Sequence, residues 1–264
     1  IPWPWQVGSG DEALYRRILL AHGGRGCRVL ILGATPALRI IAAEAGAEVV
    51  CADFSFPMLS RMGKYVEKKA PGAVEREIWF RGDWFKIPFP ENYFDIVFGD
   101  NALLFVSPAA HHDFLERVSR AMKPGGIFMT RVRIVNERLQ NMTPASIFDE
   151  FWKRFPAIAN YELTIPYLSL LLLDWSWDEK TGKTSRQKIA ETTTAYHKSV
   201  SQKEKRRFLD AFLKRSGIGI DFYFAKEKGL EEALDRYFKI VEKSYAAAPS
   251  SPMADFVSFY PFYL

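Results

Sequence analysis

"VLILGATPALRIIA", Val29 to Ala42, is the stretch whose reading decides the fold. An apolar strand runs into a single glycine, Gly33, and Pro36 opens what reads as a helix to Ala45, closed by Gly46. Gly33 lets the backbone approach a ligand closely, and the helix that follows turns its N-terminus toward the same place. Turns that cradle a nucleotide usually carry two or three glycines, and this one carries one. Its neighbours decide whether it is a cofactor site or a plain connection.

Outward from that stretch, strands and helices alternate through the first half. "SGDE" has the spacing of a capping box, with Ser9 as N-cap and Glu12 three residues on, and a helix should follow it. Arg28–Leu32, Glu48–Asp53, a short strand within Arg76–Trp84, Phe94–Asp100 and Ile127–Ile134 read as five strands. Helices are expected over Pro57–Lys69 and from Pro108 to Met122, the second capped by Ser107 and stopped by "KPGG". Apolar strands alternating with helices imply a parallel sheet covered on both faces. After Ile134 a helix starts at Thr143 and Pro144, with Phe148, Phe151, Trp152 and Phe155 on one face. Ile218–Lys226 and Ala254–Leu264 read as two closing strands around a helix at Leu230–Tyr245. The expected fold class is α/β: a Rossmann-like, doubly wound, mostly parallel seven-stranded sheet with a helical insertion before its last two strands. The expected layout is one domain, with a cofactor half (1–134), a helical cap (135–217) and a closing part (218–264).

The chain's 264 residues are 48% hydrophobic and 25% charged, enough for a sizeable core and unlike a disordered chain. Cys27 and Cys51 are too few for a disulfide framework and suit a reducing compartment. No apolar run approaches the roughly 18 residues of a membrane span, and a cytoplasmic protein is expected. The first residue is not Met, which suggests a trimmed start. The net charge is +5, and the segment from Asp178 to Arg207, with nine Lys/Arg against four Asp/Glu, holds an excess of that size. It is either a set of solvated helix faces or a patch for an anionic substrate or nucleic acid. Only Tyr196 interrupts it with a ring, which gives base stacking little support.

In an open α/β sheet, ligands bind beyond the carboxyl ends of the strands. Four clusters stand there. "GATP" (Gly33, Ala34, Thr35, Pro36) follows the first strand. Asp53 ends the second, 20 residues past Gly33, where an acid can accept from both hydroxyls of a ribose. Gly82, Asp83 and Trp84 follow the third, where an acid can take an adenine amino group and a ring can cover its face. Asp100 and Asn101 end the fourth. Singly each could be a turn; together they mark one edge of the sheet as a site. A pyrophosphate needs close backbone approach at more than one glycine, so a lone Gly33 weakens a dinucleotide and favours a cofactor without phosphate.

In order, "VLILGATP", "VVCADFS", "GDWFKIPFPENYFDIVFGDNALLF" and "AMKPGGIF" resemble the class I S-adenosylmethionine-dependent methyltransferases over residues 10–134. The resemblance implies S-adenosylmethionine as cofactor. Gly33 to Pro36 would line its methionine part, and Asp53 would hold the ribose with Phe54 and Met58 beside it. Gly82, Asp83 and Trp84 would bind adenine, and Asp100 and Asn101 would face the methyl end. The N-terminal helix often lies over such a site, making Tyr15, Arg16 and Trp5 cofactor or lid candidates. The family's first loop usually reads acid-x-Gly-x-Gly-x-Gly; here Leu30 or Ile31 stands at the acid position and Thr35 at the second glycine, and Asp100 is placed to take over the amino-group contact.

Methyl transfer needs a base only where the acceptor must lose a proton. His111 and His112, after the fourth strand, are the candidates; the alternative is a surface pair on a first helical turn. His22 and His197 have weaker cases, and no metal-ligand spacing is visible. The insertion should select the acceptor. Phe148, Trp152 and Tyr167 are either a wall for an aromatic or lipid-like acceptor or the core of the cap. "DNALLF" replaces the Pro-Pro-aromatic sequence usual in nucleic-acid amino-methyltransferases. The expected activity is methyl transfer to a small, apolar or aromatic molecule. An RNA methyltransferase using the basic segment, or a non-catalytic cofactor-binding module, are the alternatives.

Overall fold

Arg28–Leu32 forms a strand because four consecutive apolar residues, Val29 to Leu32, are buried from both sides. In the computed structural model this strand, β1, is parallel to β2 (Glu48–Asp53) on one side and β4 (Phe94–Asp100) on the other. The structure describes residues 7–86, 88–158, 160–216, 221–245, 255–256 and 260–264. β3 (Glu77–Arg81), β5 (Met122–Arg131), β6 (Lys243–Ser244) and β7 (Phe262–Tyr263) complete a seven-stranded sheet of order β3-β2-β1-β4-β5-β7-β6. Strands β1 to β5 run parallel, and β7 is antiparallel to both of its neighbours. The order reverses between β1 and β4, so a crevice opens where their carboxyl ends diverge.

Helices α1 (Ser9–His22), α2 (Pro36–Glu44) and α3 (Phe56–Lys69) cover one face with α4 (His111–Ala121) and α10 (Glu227–Asp235) on the other. Pro36 opens α2, and Ser55 caps α3 by accepting from the Met58 N–H. The buried guanidinium of Arg39 on α2 pairs with Glu77 on β3 and bonds the Leu59 carbonyl on α3, which locks three elements together. α5 (Glu137–Gln140), α6 (Pro144–Arg154), α7 (Tyr161–Ser176), α8 (Arg186–Ser199) and α9 (Lys203–Ser216) lie between β5 and α10. They share a separate hydrophobic core. α7 is apolar on nearly every side, as befits a helix enclosed by its neighbours.

The seven-stranded, mostly parallel sheet with a helical insertion is as expected. Local boundaries differ in several places: Ser107 makes no cap bond and α4 begins at His111, after a 3-10 turn at Pro108–Ala110, and β5 ends at Arg131 instead of Ile134. The N-cap of α1 is Gly8, whose N–H donates to Asp11 Oδ2 at 2.8 Å, so the capping pair lies one residue before Ser9 and Glu12. β5 begins at Met122, which pairs with Phe94, and "KPGG" forms an irregularity inside the strand instead of a stop before it. The first closing strand is Lys243–Ser244, not Ile218–Lys226, and the helix expected to Tyr245 ends at Asp235. The physical reason is that the N–H groups of 222–224 are spent on single partners: Phe222 on Thr184 Oγ1, Tyr223 on the Leu104 carbonyl, Phe224 on the Gly182 carbonyl. That segment is a brace between the insertion and the turn after β4. Positions 218–220 of the expected strand lie outside the described residues, as do 246–254 and 257–259 before and within the expected last strand.

Candidate active site at the strand ends

Gly33 leaves β1 with φ +116°, a conformation that side chains rarely adopt, and its N–H donates to the Ala52 carbonyl at 2.8 Å. A Cβ there would meet nothing nearer than Asp53 Oδ2, at an ordinary contact distance of 3.9 Å, so open space lies between the turns after β1 and β2. Asp53 Oδ1 accepts from the Ser55 N–H at 2.7 Å, which fixes the carboxylate at the rim. Burial raises the Asp53 pKa, and the Ser55 hydrogen bond opposes that rise. Ala34 is buried, while Thr35 and Pro36 are half-buried, and the Thr35 hydroxyl makes no cap bond to α2. Beside Asp53, Phe54 is 76% exposed, with Phe56 and Met58 also open to solvent. Large apolar side chains held out around a carboxylate fit a ligand with a flat apolar part and hydroxyls.

The turn after β3 joins the same edge. The Gly82 N–H donates to the Asp53 carbonyl, and Trp84 Nε1 donates to the Ala52 carbonyl at 2.7 Å. Trp84 is thus a fixed wall, its ring 6.0 Å from that of Phe114. Asp83 Oδ1 caps the Phe85 N–H, while its side chain stays partly open. A cleft of about 190 Å³ lies behind Trp84, between β1 and α4, with Leu30, Leu32 and Phe114 in its lining.

At the end of β4 the arrangement differs from expectation. Asp100 does not stand free. Arg131, fully buried at the end of β5, donates from Nε to Asp100 Oδ1 at 2.7 Å and from Nη1 to Asp11 Oδ2 at 2.7 Å. Tyr15 is buried beneath α1 and donates to Asp100 Oδ1 at 3.3 Å. Its pKa is raised by burial and by the Asp100 charge. Tyr15 therefore supports Asp100 instead of facing the cleft, and Arg16 points away to pair with Glu44. Trp5 lies outside the described residues. Asn101 adopts the left-handed conformation, φ 57°, and its N–H donates to the Arg131 carbonyl, so the chain turns sharply after the strand. Asp11 and Arg131 were not singled out from sequence. Two arginines, Arg131 and Arg133, at the end of a doubly covered strand were the available signal, since buried guanidinium groups demand carboxylates.

The histidines separate. His111 is 4% exposed, not a surface residue, whereas His112 is exposed with its ring 5.9 Å from that of Tyr237. His197 Nε2 lies 3.1 Å from Asp210 Oδ1, a link between α8 and α9. Phe148, Trp152 and Tyr167 are buried in the core of the insertion. Phe148 stacks on Tyr196 at 3.9 Å, Trp152 Nε1 donates to the Tyr196 hydroxyl, and the Tyr167 hydroxyl donates to Asp255. These three pack the insertion and do not form a wall facing the strand ends. The basic segment is α8 and α9. There Lys188 covers the Trp175 ring at 4.2 Å and Lys205 the Trp152 ring at 4.9 Å, so part of its charge serves local packing.

Residues 32–130 match a family model described as a methyltransferase domain. A sterol 24-C-methyltransferase of Gibberella zeae is 34% identical over 127 residues, 46% of this chain. The chain spans only 32% of that relative's length. Among solved structures, a protein of Pyrococcus horikoshii superposes with a TM-score of 0.55 at 14% identity, covering 97% of this chain and 91% of that one. An S-adenosylmethionine-dependent methyltransferase of Methanosarcina mazei gives 0.54 at 12%, covering 93% and 94%. A Rhodobacter sphaeroides protein described as a zinc-dependent alcohol dehydrogenase gives 0.56 at 13%, covering 98% and 89%. At such identities the likeness is one of fold. Among the described residues no group of three or more His, Cys, Asp or Glu is placed to hold a metal, and no helix is long and apolar enough to cross a membrane.

Proposed function

We propose that this chain, a class I, Rossmann-like methyltransferase by its matched domain and its strand order, transfers the methyl group of S-adenosylmethionine to a small apolar or aromatic molecule. The observation that carries the cofactor is the cradle between Gly33, which turns at φ +116°, and Asp53, with exposed Phe54 and Met58 at its rim. Asp53 would accept from the ribose hydroxyls. Phe54 and Met58 would cover the adenosine, while Asp83 and Trp84 would bound the adenine end. Gly33 to Pro36 would line the methionine part. Asp100, held by Arg131 and Tyr15, would lie toward the methyl end with Asn101.

When bound, the cofactor supplies a methyl group on a sulfonium, which needs little from the protein beyond placement. Holding donor and acceptor in line can contribute about 7–11 kcal/mol of the barrier. The chain's part is to fix both molecules and exclude water. Apolar side chains exposed at the same edge and not used by the cofactor, Phe56 after β2 and Phe105 after β4, support an apolar acceptor. The name of the sterol methyltransferase relative points the same way, over the part of the chain it matches. The basic helices α8 and α9 favour the second reading, an RNA acceptor. The third reading is a module that binds cofactor without turnover.

Incubation with methyl-tritiated S-adenosylmethionine and, in parallel, small aromatic and lipid extracts or total RNA distinguishes them. Label entering the organic phase, lost in Asp53→Ala, supports the first reading. Salt-sensitive label in RNA supports the second, and bound cofactor with no transfer supports the third.

A further inference from the structure

The connections that follow β1, β2 and β4 each carry a helix, but among the described residues the one from β3 to β4 has only a 3-10 turn, Trp84–Lys86. One face of the sheet is left thinly covered there. Leu30, Val50 and Ile78 stand side by side on β1, β2 and β3, so their side chains share that face. Leu30 and Val50 are buried, whereas Ile78 on the edge strand is 61% exposed. The cleft of about 190 Å³ lies under this thin cover. Leu30 and Leu32 belong to its sheet side, Phe114 and Val118 to α4, and Trp84 and Phe89 to the connection. Trp84 has already given its Nε1–H to the Ala52 carbonyl. The inner walls therefore offer a polar ligand nothing, and an apolar cavity of about 150 Å³ stays dry and takes a benzene ring.

The entrance has a different chemistry. The Asn92 and Tyr93 N–H groups donate to the carbonyls of Arg120 and Ala121, so the last turn of α4 sits beside the start of β4. That is the edge of the sheet opposite the strand ends where Gly33 and Asp53 stand. Glu91, Arg117 and Arg120 line the cleft on this side, and all three are exposed. Glu91 pairs with Arg120, while Arg117 makes no ion pair among the described residues. Two guanidinium groups against one carboxylate leave a positive charge at the entrance, and a guanidinium fork matches a carboxylate.

We propose that this cleft is a second ligand site, for a small amphiphile with a benzene-sized apolar body and one carboxylate on a short tether. The apolar body lies against Leu30, Leu32 and Phe114, and the carboxylate meets Arg117 at the entrance. The site goes beyond the methyltransferase reading and does not depend on it. Of its walls only Trp84 takes part in the strand-end site, and the entrance opens at the other edge of the sheet.

Calorimetric titration of the full chain with 3-phenylpropionate and with its uncharged amide tests this. The expected result is saturable binding of the acid with a Kd of about 1 mM or tighter. The acid should bind about two- to fivefold tighter than the amide, the range of a solvent-exposed ion pair. Arg117→Gln, a change at an exposed position, should bring the acid to the level of the amide and leave the amide where it was. Val118→Trp fills the cleft and should abolish binding of both. If that variant does not fold, methyl-labelled wild type replaces it: the Val118 methyl signals, assigned with Val118→Ile, should shift as the acid is added. No saturable binding of the acid, binding of the acid unchanged in Arg117→Gln, binding retained by folded Val118→Trp, or Val118 methyl signals that stay still overturns the proposal. None of these readouts involves S-adenosylmethionine, so failure here leaves the methyltransferase reading standing.

Discussion

Arg131→Met should destabilise the chain more than most single substitutions. The guanidinium is fully buried and bonds two carboxylates that are themselves nearly inaccessible, Asp11 of α1 and Asp100 of β4. Methionine fills a similar volume but leaves both acids without their counter-ion. Breaking a buried pair from one side costs about 3–5 kcal/mol, because a charge stays behind in a poor solvent. For a chain of this size about 1 kcal/mol moves Tm by about 2–4 °C, so the fall should be about 6–20 °C. The triple variant Asp11→Asn, Arg131→Met, Asp100→Asn removes the stranded charges and should recover most of the loss. Thermal denaturation followed by circular dichroism reads both. Amide exchange should quicken in α1, whose anchors to the sheet include Asp11 and Tyr15. A fall below about 3 °C for Arg131→Met, or a triple variant no better than the single, would refute the view that these charges hold the strand-end edge together.

Gly33→Ala places a side chain at φ +116°, a strain of about 1–3 kcal/mol, so Tm should fall by no more than about 12 °C. Affinity for S-adenosylhomocysteine, read by calorimetry, should drop at least about tenfold, since roughly 1.4 kcal/mol of lost or blocked contact suffices. Asp174 bonds Arg133 and the Asn136 N–H, and burial pushes its pKa up to about 6 despite those partners. Its folded value lies above the unfolded one, so its contribution is full at low pH and is lost as pH rises through about 6. Urea unfolding between pH 4 and pH 6 should show wild type losing stability relative to Asp174→Asn. Phe151→Ala empties the centre of the insertion, where the ring meets Trp152, Phe155, Tyr167 and Phe208, and should cost about 3–5 kcal/mol. Cofactor binding by the folded fraction should stay unchanged, because that ring belongs to the core of the insertion.

Much of the sheet was legible because its strands are apolar throughout and its turns carry Gly, Asp and Pro at the points where the chain must bend. β1, β2 and β4 fall on the expected residues for that reason. The closing strands were not legible. "DFYFA" alternates like a strand, but its N–H groups go to Thr184, Leu104 and Gly182, partners far off in sequence. "KS" has no strand pattern and becomes one because Phe262 and Tyr263 pair with it and Lys243 lies between Glu227 and Glu231. The site divides the same way. Gly33 and Asp53 show in the sequence because turn chemistry and spacing are local. That Tyr15 holds Asp100 instead of facing the cleft depends on how α1 crosses β4 and β5, which no local pattern encodes.

The central claim, a cofactor cradle at Gly33 and Asp53 for S-adenosylmethionine, is tested most directly by calorimetric titration of wild type and Asp53→Ala with S-adenosylmethionine, S-adenosylhomocysteine and NAD. The prediction is saturable binding of the first two by wild type, none of NAD, and loss in a variant whose circular dichroism is unchanged. Binding of neither S-adenosyl compound by wild type, or equal binding by Asp53→Ala, would contradict it.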